Sequence, residues 1–154
     1  MHLKKLIILA LILSSLYGFT PQSISHAELQ IQDQPISNQI DYFATMYRID
    51  SRLIAKVVEC ESGGVHEAVG DGHRSHGIAQ FQRPTWNWME KEFYEEYNQH
   101  LDYTSSFDQL HLLSYAISEG YGRNWTTYVA IKNGGKYSFW SNQMNRHYTV
   151  VCKL

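Results

Sequence analysis

A glutamate at the end of a helix, set against apolar side chains, is a group that could donate a proton near neutral pH. Residues 51–62 hold one. At about 100° per residue, Leu53, Ile54, Val57 and Val58 share one helix face. Glu61 follows Val57 by four positions and Val58 by three, so it projects from that face, whereas Glu59 projects from the opposite one, near Lys56. A carboxyl against apolar surface loses hydration, which raises its pKa. A raised pKa is what a general acid needs to stay protonated near neutrality. The competing reading is a helix-end residue turned out to solvent, and periodicity alone supports the two equally. Five of the ten glycines (Gly63, Gly64, Gly70, Gly72 and Gly77) follow directly. Glycine allows sharp bends and close approach to a ligand. Backbone donors, Ser75 and Gln80 would suit a ligand rich in hydroxyl and amide groups, such as a glycan, although an ordinary surface loop has the same composition.

Other chemistries are weaker. His66, His73 and His76 lie beside Asp71, but their spacing matches no helix-borne zinc motif and no cysteine pair supports one. Solvated loop histidines are expected, with no metal and no organic cofactor. Asp71 stands in Gly70-Asp71-Gly72, a common turn in which Asp bonds its own backbone; its alternative role is the second carboxylate of a hydrolase. Cys60 could be a nucleophile with a histidine base. In an oxidising compartment, Cys60 and Cys152 permit one intramolecular bridge, the favoured expectation over free thiols or an intermolecular bond.

Glu61-Ser62-Gly63-Gly64, then Ala68-Val69-Gly70-Asp71-Gly72, Ser75 and Gly77-Ile78-Ala79-Gln80, resembles the catalytic signature of lytic transglycosylases of the soluble-lytic-transglycosylase type. That family belongs to the lysozyme-like superfamily and is related to goose-type lysozymes. The likeness is clear over residues 50–88 and fainter over 110–130. It implies a peptidoglycan-cleaving enzyme in which Glu61 is the acid/base and Ser62 helps to orient it. Gly77 and Gln80 would line the glycan groove, with Ser75 a further substrate contact. The family's downstream Tyr-Asn-Ala-Gly element is missing. Tyr115-Ala116-Ile117-Ser118, followed by Gly120 and Gly122, is the nearest stretch, which makes Tyr115 a weak substrate-binding candidate. The implied chemistry cleaves the β-1,4 bond between N-acetylmuramic acid and N-acetylglucosamine and leaves a 1,6-anhydro end. A hydrolytic lysozyme using Asp71 and a non-catalytic peptidoglycan-binding domain are the alternatives.

Helices must carry these groups. Ser37 is expected to cap a helix with Ile40, Phe43 and Tyr47 on one face, and Asp50 to cap the helix that ends at Gly63-Gly64. Pro84 opens a helix with a Trp86, Met89, Phe93, Tyr97 seam and an outer face of Glu90, Glu92, Glu95 and Glu96. Trp88 falls off that seam. Ser106 with Gln109 fits a capping box opening a central helix that ends near Gly120. Asn124 is expected to cap a short helix stopped by Asn133-Gly134-Gly135. The tail from Lys136 is ambiguous and reads as a helix followed by a short extended end. The expected fold is mainly α: a lysozyme-like single domain over 37–154, with a Gly-rich loop or small hairpin after the catalytic helix.

The chain has 154 residues, 44% hydrophobic and 18% charged, which is enough for one domain with a real core and argues against disorder. A net charge of −2 provides no basic field for nucleic acid. Lys4, Lys5, the apolar run from Leu6 to Leu16 and Ser25-His26-Ala27 read as an export signal over 1–27. The run is too short for a stable membrane span. Residues 28–36, polar and containing Pro35, read as a loose lead-in. The expected location is periplasm, cell wall or outside the cell. The expected partner is the peptidoglycan glycan strand; a secretion, conjugation or wall-machinery partner is not specified.

Overall fold

The computed structural model describes residues 26–141 and 145–154. The export signal therefore lies, up to residue 25, outside the described residues. The chain divides into two units, one ending at Asp33 and one running from Gln34 to Leu154. The described part of the first is a helix, α1 (His26–Gln32). It replaces the loose lead-in expected there, because residues 27–32 (Ala-Glu-Leu-Gln-Ile-Gln) are mostly strong helix formers with no Gly or Pro.

The second unit is built on helices. In α2 (Ile36–Tyr47) the cap is Pro35 rather than Ser37. The Pro35 carbonyl accepts from the amides of Asn38 and Gln39, so the helix is already under way at Ser37. In α3 (Ser51–Ser62) the Asp50 side chain accepts from the Arg52 amide, and Gly63 closes the helix at φ 65, both as expected. Leu53, Ile54, Val57 and Val58 are buried, and Glu59 pairs with Lys56 at 3.0 Å. The helix α4 (Arg83–Tyr97) has Pro84 in its first turn and buries Trp86, Met89 and Phe93. Tyr97 ends the seam half in water, one side of its ring exposed and the other packed on Phe93 and Tyr115.

The central element is α5 (Ser106–Ser118), buried from Phe107 to Ile117 except at Asp108. Its cap is Ser105, one residue before the expected Ser106, with the Ser105 hydroxyl accepting from the Asp108 amide. Gln109 is thereby released from capping and turned into the core. His111 is stacked on Phe43, and burial pushes its pKa down to about 4, so it is neutral. A 3-10 turn, Tyr121–Asn124, leads to α6 (Thr126–Lys132), which is capped at Trp125 rather than Asn124. Among the described residues, no helix is long and apolar enough to cross a membrane.

Two small antiparallel sheets complete the unit. The Gly-rich insertion holds β1 (Val69–Gly70), β2 (Ser75–His76) and β3 (Phe81–Gln82) in sequence order. The ambiguous tail is a hairpin of β4 (Lys136–Ser141) and β5 (Arg146–Val151). Cys60 on α3 is bonded to Cys152, just beyond β5, across 92 residues. The bridge excludes Cys60 as a nucleophile, since its sulfur is consumed. Closing so long a loop restricts the unfolded chain strongly. Replacing both cysteines by serine is expected to lower the unfolding free energy by about 3–4 kcal/mol, read from the urea midpoint. An unchanged midpoint would mean that packing alone holds the hairpin.

Candidate active site

The last turn of α3 delivers Glu61 to the edge of a polar cleft of about 220 Å³, whose lining includes Asp71, Ser75, Gln80, Asn124, Trp125 and Thr126. The carboxyl is half-buried, as its place on the apolar face of α3 requires. From the first turn of α6, Thr127 donates its hydroxyl to Glu61 Oε1 at 2.5 Å. The pKa of Glu61 is raised to about 7. Burial is the main cause, and the nearby charge of Asp71 adds to it, while the Thr127 hydrogen bond opposes both.

The floor beside this carboxyl is the segment Gly77–Phe81. Ile78 and Ala79 are 0% exposed yet lie in no regular element, so their backbone groups need side-chain partners. They have them. Ser62 Oγ donates to the Ile78 carbonyl at 2.7 Å. The Ala79 amide donates to Gln109 Oε1 at 3.1 Å, and Trp125 Nε1 donates to the Ala79 carbonyl at 2.8 Å. The Tyr103 hydroxyl donates to the Phe81 carbonyl at 2.8 Å. Gln80, at φ 51, turns its side chain back so that Nε2 donates to the carbonyls of Ala68 and Gly77.

Asp71, at φ 50, sits at the β1–β2 turn. Its carboxylate does not bond its own backbone as a simple turn aspartate would. It accepts from Ser75 Oγ at 2.9 Å and from Gln82 Nε2 at 3.4 Å, and it lines the same cleft as Glu61. The three loop histidines are otherwise engaged or apart: His66 Nδ1 meets Ser106 Oγ, and His76 Nε2 meets the His73 carbonyl. Among the described residues, no group of three His, Cys, Asp or Glu is arranged to hold a metal ion.

Of the residues picked out in the sequence, Glu61, Ser75 and Gln80 come together in the cleft, with Asp71 beside them. Ser62 and Gly77 are not among its lining residues. Ser62 pins the floor segment from behind, and Gly77 donates its amide to Ala68 at 2.8 Å. Tyr115 is elsewhere: it is 4% exposed, packed on Phe93, Tyr97 and Tyr47, with its hydroxyl donating to Glu96 Oε2 at 3.1 Å. It lies on the α5 face turned toward α2 and α4. Of the tryptophans, Trp86 is core and Trp88 is exposed. Sequence reasoning missed Thr127, Trp125 and Gln109. Their partners lie 66, 46 and 30 residues away, and no local pattern announces such pairings.

Two consequences are measurable. Gly77 has φ +77, and a Cβ there would stand 2.1 Å from Gln109 Nε2. Gly77→Ala is expected to cost about 2–4 kcal/mol, read by chemical denaturation; a neutral result would contradict the tight floor. Glu61 also carries a stability cost. Its folded pKa of about 7 lies above the ordinary value of 4.5, so the native state keeps a proton that the unfolded chain releases. The stability conferred by holding that proton is full below about pH 4.5 and is lost as pH rises through about 7, where the cost of the buried carboxylate takes over. Glu61→Gln is therefore expected to stabilise by about 1–3 kcal/mol at pH 8 and by almost nothing at pH 4, read by thermal melts at both. Equal shifts at the two pH values would refute it.

Comparison with curated proteins and with solved structures returned no match. The family model described as the Transglycosylase SLT domain matches residues 38–147. That span takes in the capped helix α3, the Gly-rich insertion, the central α5 and the turn of α6 that reaches Glu61. With its mainly helical, lysozyme-like architecture and minor strands, the chain belongs to the transglycosylase SLT domain family.

Proposed function

We propose that this protein is an exported lytic transglycosylase that cleaves peptidoglycan with Glu61 as its sole acid/base. The observation that carries this reading is the half-buried Glu61 carboxyl at the edge of a polar cleft, its pKa raised to about 7 by burial. Family membership supports the substrate class and the lytic transglycosylase activity. The Cys60–Cys152 bridge and the family together support a place outside the cytoplasm, which agrees with the export signal read over 1–27.

In the first step, protonated Glu61 gives its proton to the oxygen of the β-1,4 bond between N-acetylmuramic acid and N-acetylglucosamine. The bond from C1 to that oxygen breaks, and the substrate's own N-acetyl group supports the developing charge at C1. Glu61, now a carboxylate, takes the proton of the muramyl 6-hydroxyl as that oxygen bonds to C1. The product is a 1,6-anhydro end, and no water is consumed. A pKa near the working pH suits both halves of this cycle. Thr127 fixes the carboxyl so that one oxygen faces the cleft. Ser75, Gln80 and the strand-end backbone are the polar contacts for the sugar hydroxyl and amide groups.

The presence of Asp71 in the same cleft supports a second reading, a hydrolytic lysozyme with Asp71 handling water. Purified sacculi digested by the secreted chain, with the fragments weighed, discriminate between the two. Ends lighter by one water are expected, with Asp71→Asn retaining that product and Glu61→Gln abolishing release while sparing sacculus binding. Normal reducing ends lost on Asp71→Asn would establish the hydrolase. Release unaffected by Glu61→Gln would sink both, and binding without release in the wild-type chain would make the domain a wall-binding module.

A further inference from the structure

The fifteen acidic side chains all lie between Glu28 and Glu119, a stretch with six Lys and Arg residues. From residue 120 to the end there is no acidic side chain, and there are five cations: Arg123, Lys132, Lys136, Arg146 and Lys153. The β4–β5 hairpin is the main element of this basic segment. Two strands alone cannot enclose a core, and the hairpin stands on α6 and on the Cys60–Cys152 bridge. Its rings therefore remain partly in water.

Cross-strand register sorts the rings by face. Phe139 opposes Tyr148 and Ser141 opposes Arg146, so these share a face with Tyr137. Tyr137 and Phe139 stack at 5.5 Å with planes 20° apart, and Tyr148 continues the row 6.2 Å from Phe139. The Arg146 guanidinium lies 5.2 Å from the Tyr148 ring centre. Two near-parallel rings and a third tilted by 36° make a row that ends at a cation, a platform for sugar faces beside a partner for a carboxylate.

We infer that the β4–β5 hairpin is a second contact surface for the peptidoglycan strand, outside the catalytic cleft. The Tyr137, Phe139 and Tyr148 rings stack on sugar units, and Arg146 at the end of the row pairs with a free carboxylate of a stem peptide. This rests on the peptidoglycan reading above for the identity of the strand. The mounting joins the two surfaces: Cys60 immediately precedes Glu61, and α6 carries both Thr127 and the hairpin. A lipid surface is disfavoured because the ring row ends at Ser141 and Arg146 and the other face carries the Ser138–Thr149 pair at 2.8 Å, so neither face is apolar along its whole length.

The test measures retention of the secreted chain on intact sacculi, in a Glu61→Gln background that leaves them undigested. Tyr148→Ala combined with Arg146→Ala is expected to weaken retention about tenfold, and Tyr148→Trp to keep it. In the active background, the ratio of sacculus digestion to cleavage of a short soluble glycan is expected to fall with it. Should the double variant fail to fold, Arg146→Glu on the exposed rim is expected to weaken retention most at low salt. Retention unchanged in folded variants overturns the proposal, as does hairpin-dependent binding to anionic phospholipid vesicles but not to sacculi. Failure of the wild-type chain to cleave the short glycan counts against the Glu61 chemistry alone, and the sacculus arm still decides on the hairpin.

Discussion

The segment Gly77–Phe81 is the constraint on which the rest of the domain depends. As far as Gln80 it runs through the interior without helix or strand, then enters β3 at Phe81, burying Ile78, Ala79 and Phe81. Every backbone group it takes out of water must therefore be matched individually. Ser62 from α3, Tyr103 from the loop before α5, Gln109 from α5 and Trp125 at the head of α6 supply the matches. The same bonds that satisfy this segment fix the relative positions of three helices. The cleft is what remains on the open side of that junction.

At that opening the electrostatics are balanced rather than extreme. Burial and the charge of Asp71 hold the proton on Glu61, while the Thr127 hydroxyl favours its release. A fully apolar setting would leave the carboxyl protonated through the whole neutral range, and a solvated one would ionise it. The loop opposite is built under strain. Asp71, His73 and Gln80 all have positive φ without being glycine, a cost of about 1 kcal/mol or more each. Hydrogen bonds from Ser75, Gln82 and the Gln80 amide help to hold that geometry.

Much of this was legible in the sequence wherever the signal was local. The Asp50 cap, the Gly63 stop and the shared face of Val57, Val58 and Glu61 placed the carboxyl correctly. Caps came out one residue wrong at Ser106 and Asn124, because adjacent Ser105 and Trp125 had the better backbone geometry. The hairpin went unread, although Lys136–Ser141 alternates polar and aromatic residues and Arg146–Val151 ends in β-branched ones. Its aromatics were equally compatible with a helix face. Thr127, Gln109 and Trp125 were not legible, because each acts through one atom of a partner distant in the chain. Tyr115 illustrates the converse: the nearest stretch to a motif supplied a tyrosine, and the helix phase turned it toward other rings.

The span of those partnerships also governs how the domain comes into being. Glu61 meets Thr127 across 66 residues, Trp125 meets Ala79 across 46, and the bridge closes 92. Helices form in microseconds or less, but long closures must be met before their contacts reward them. A chain with this much helix thus acquires its cleft on the timetable of its longest loops. Fragments that stop short of α6 hold the glutamate without its counterpart.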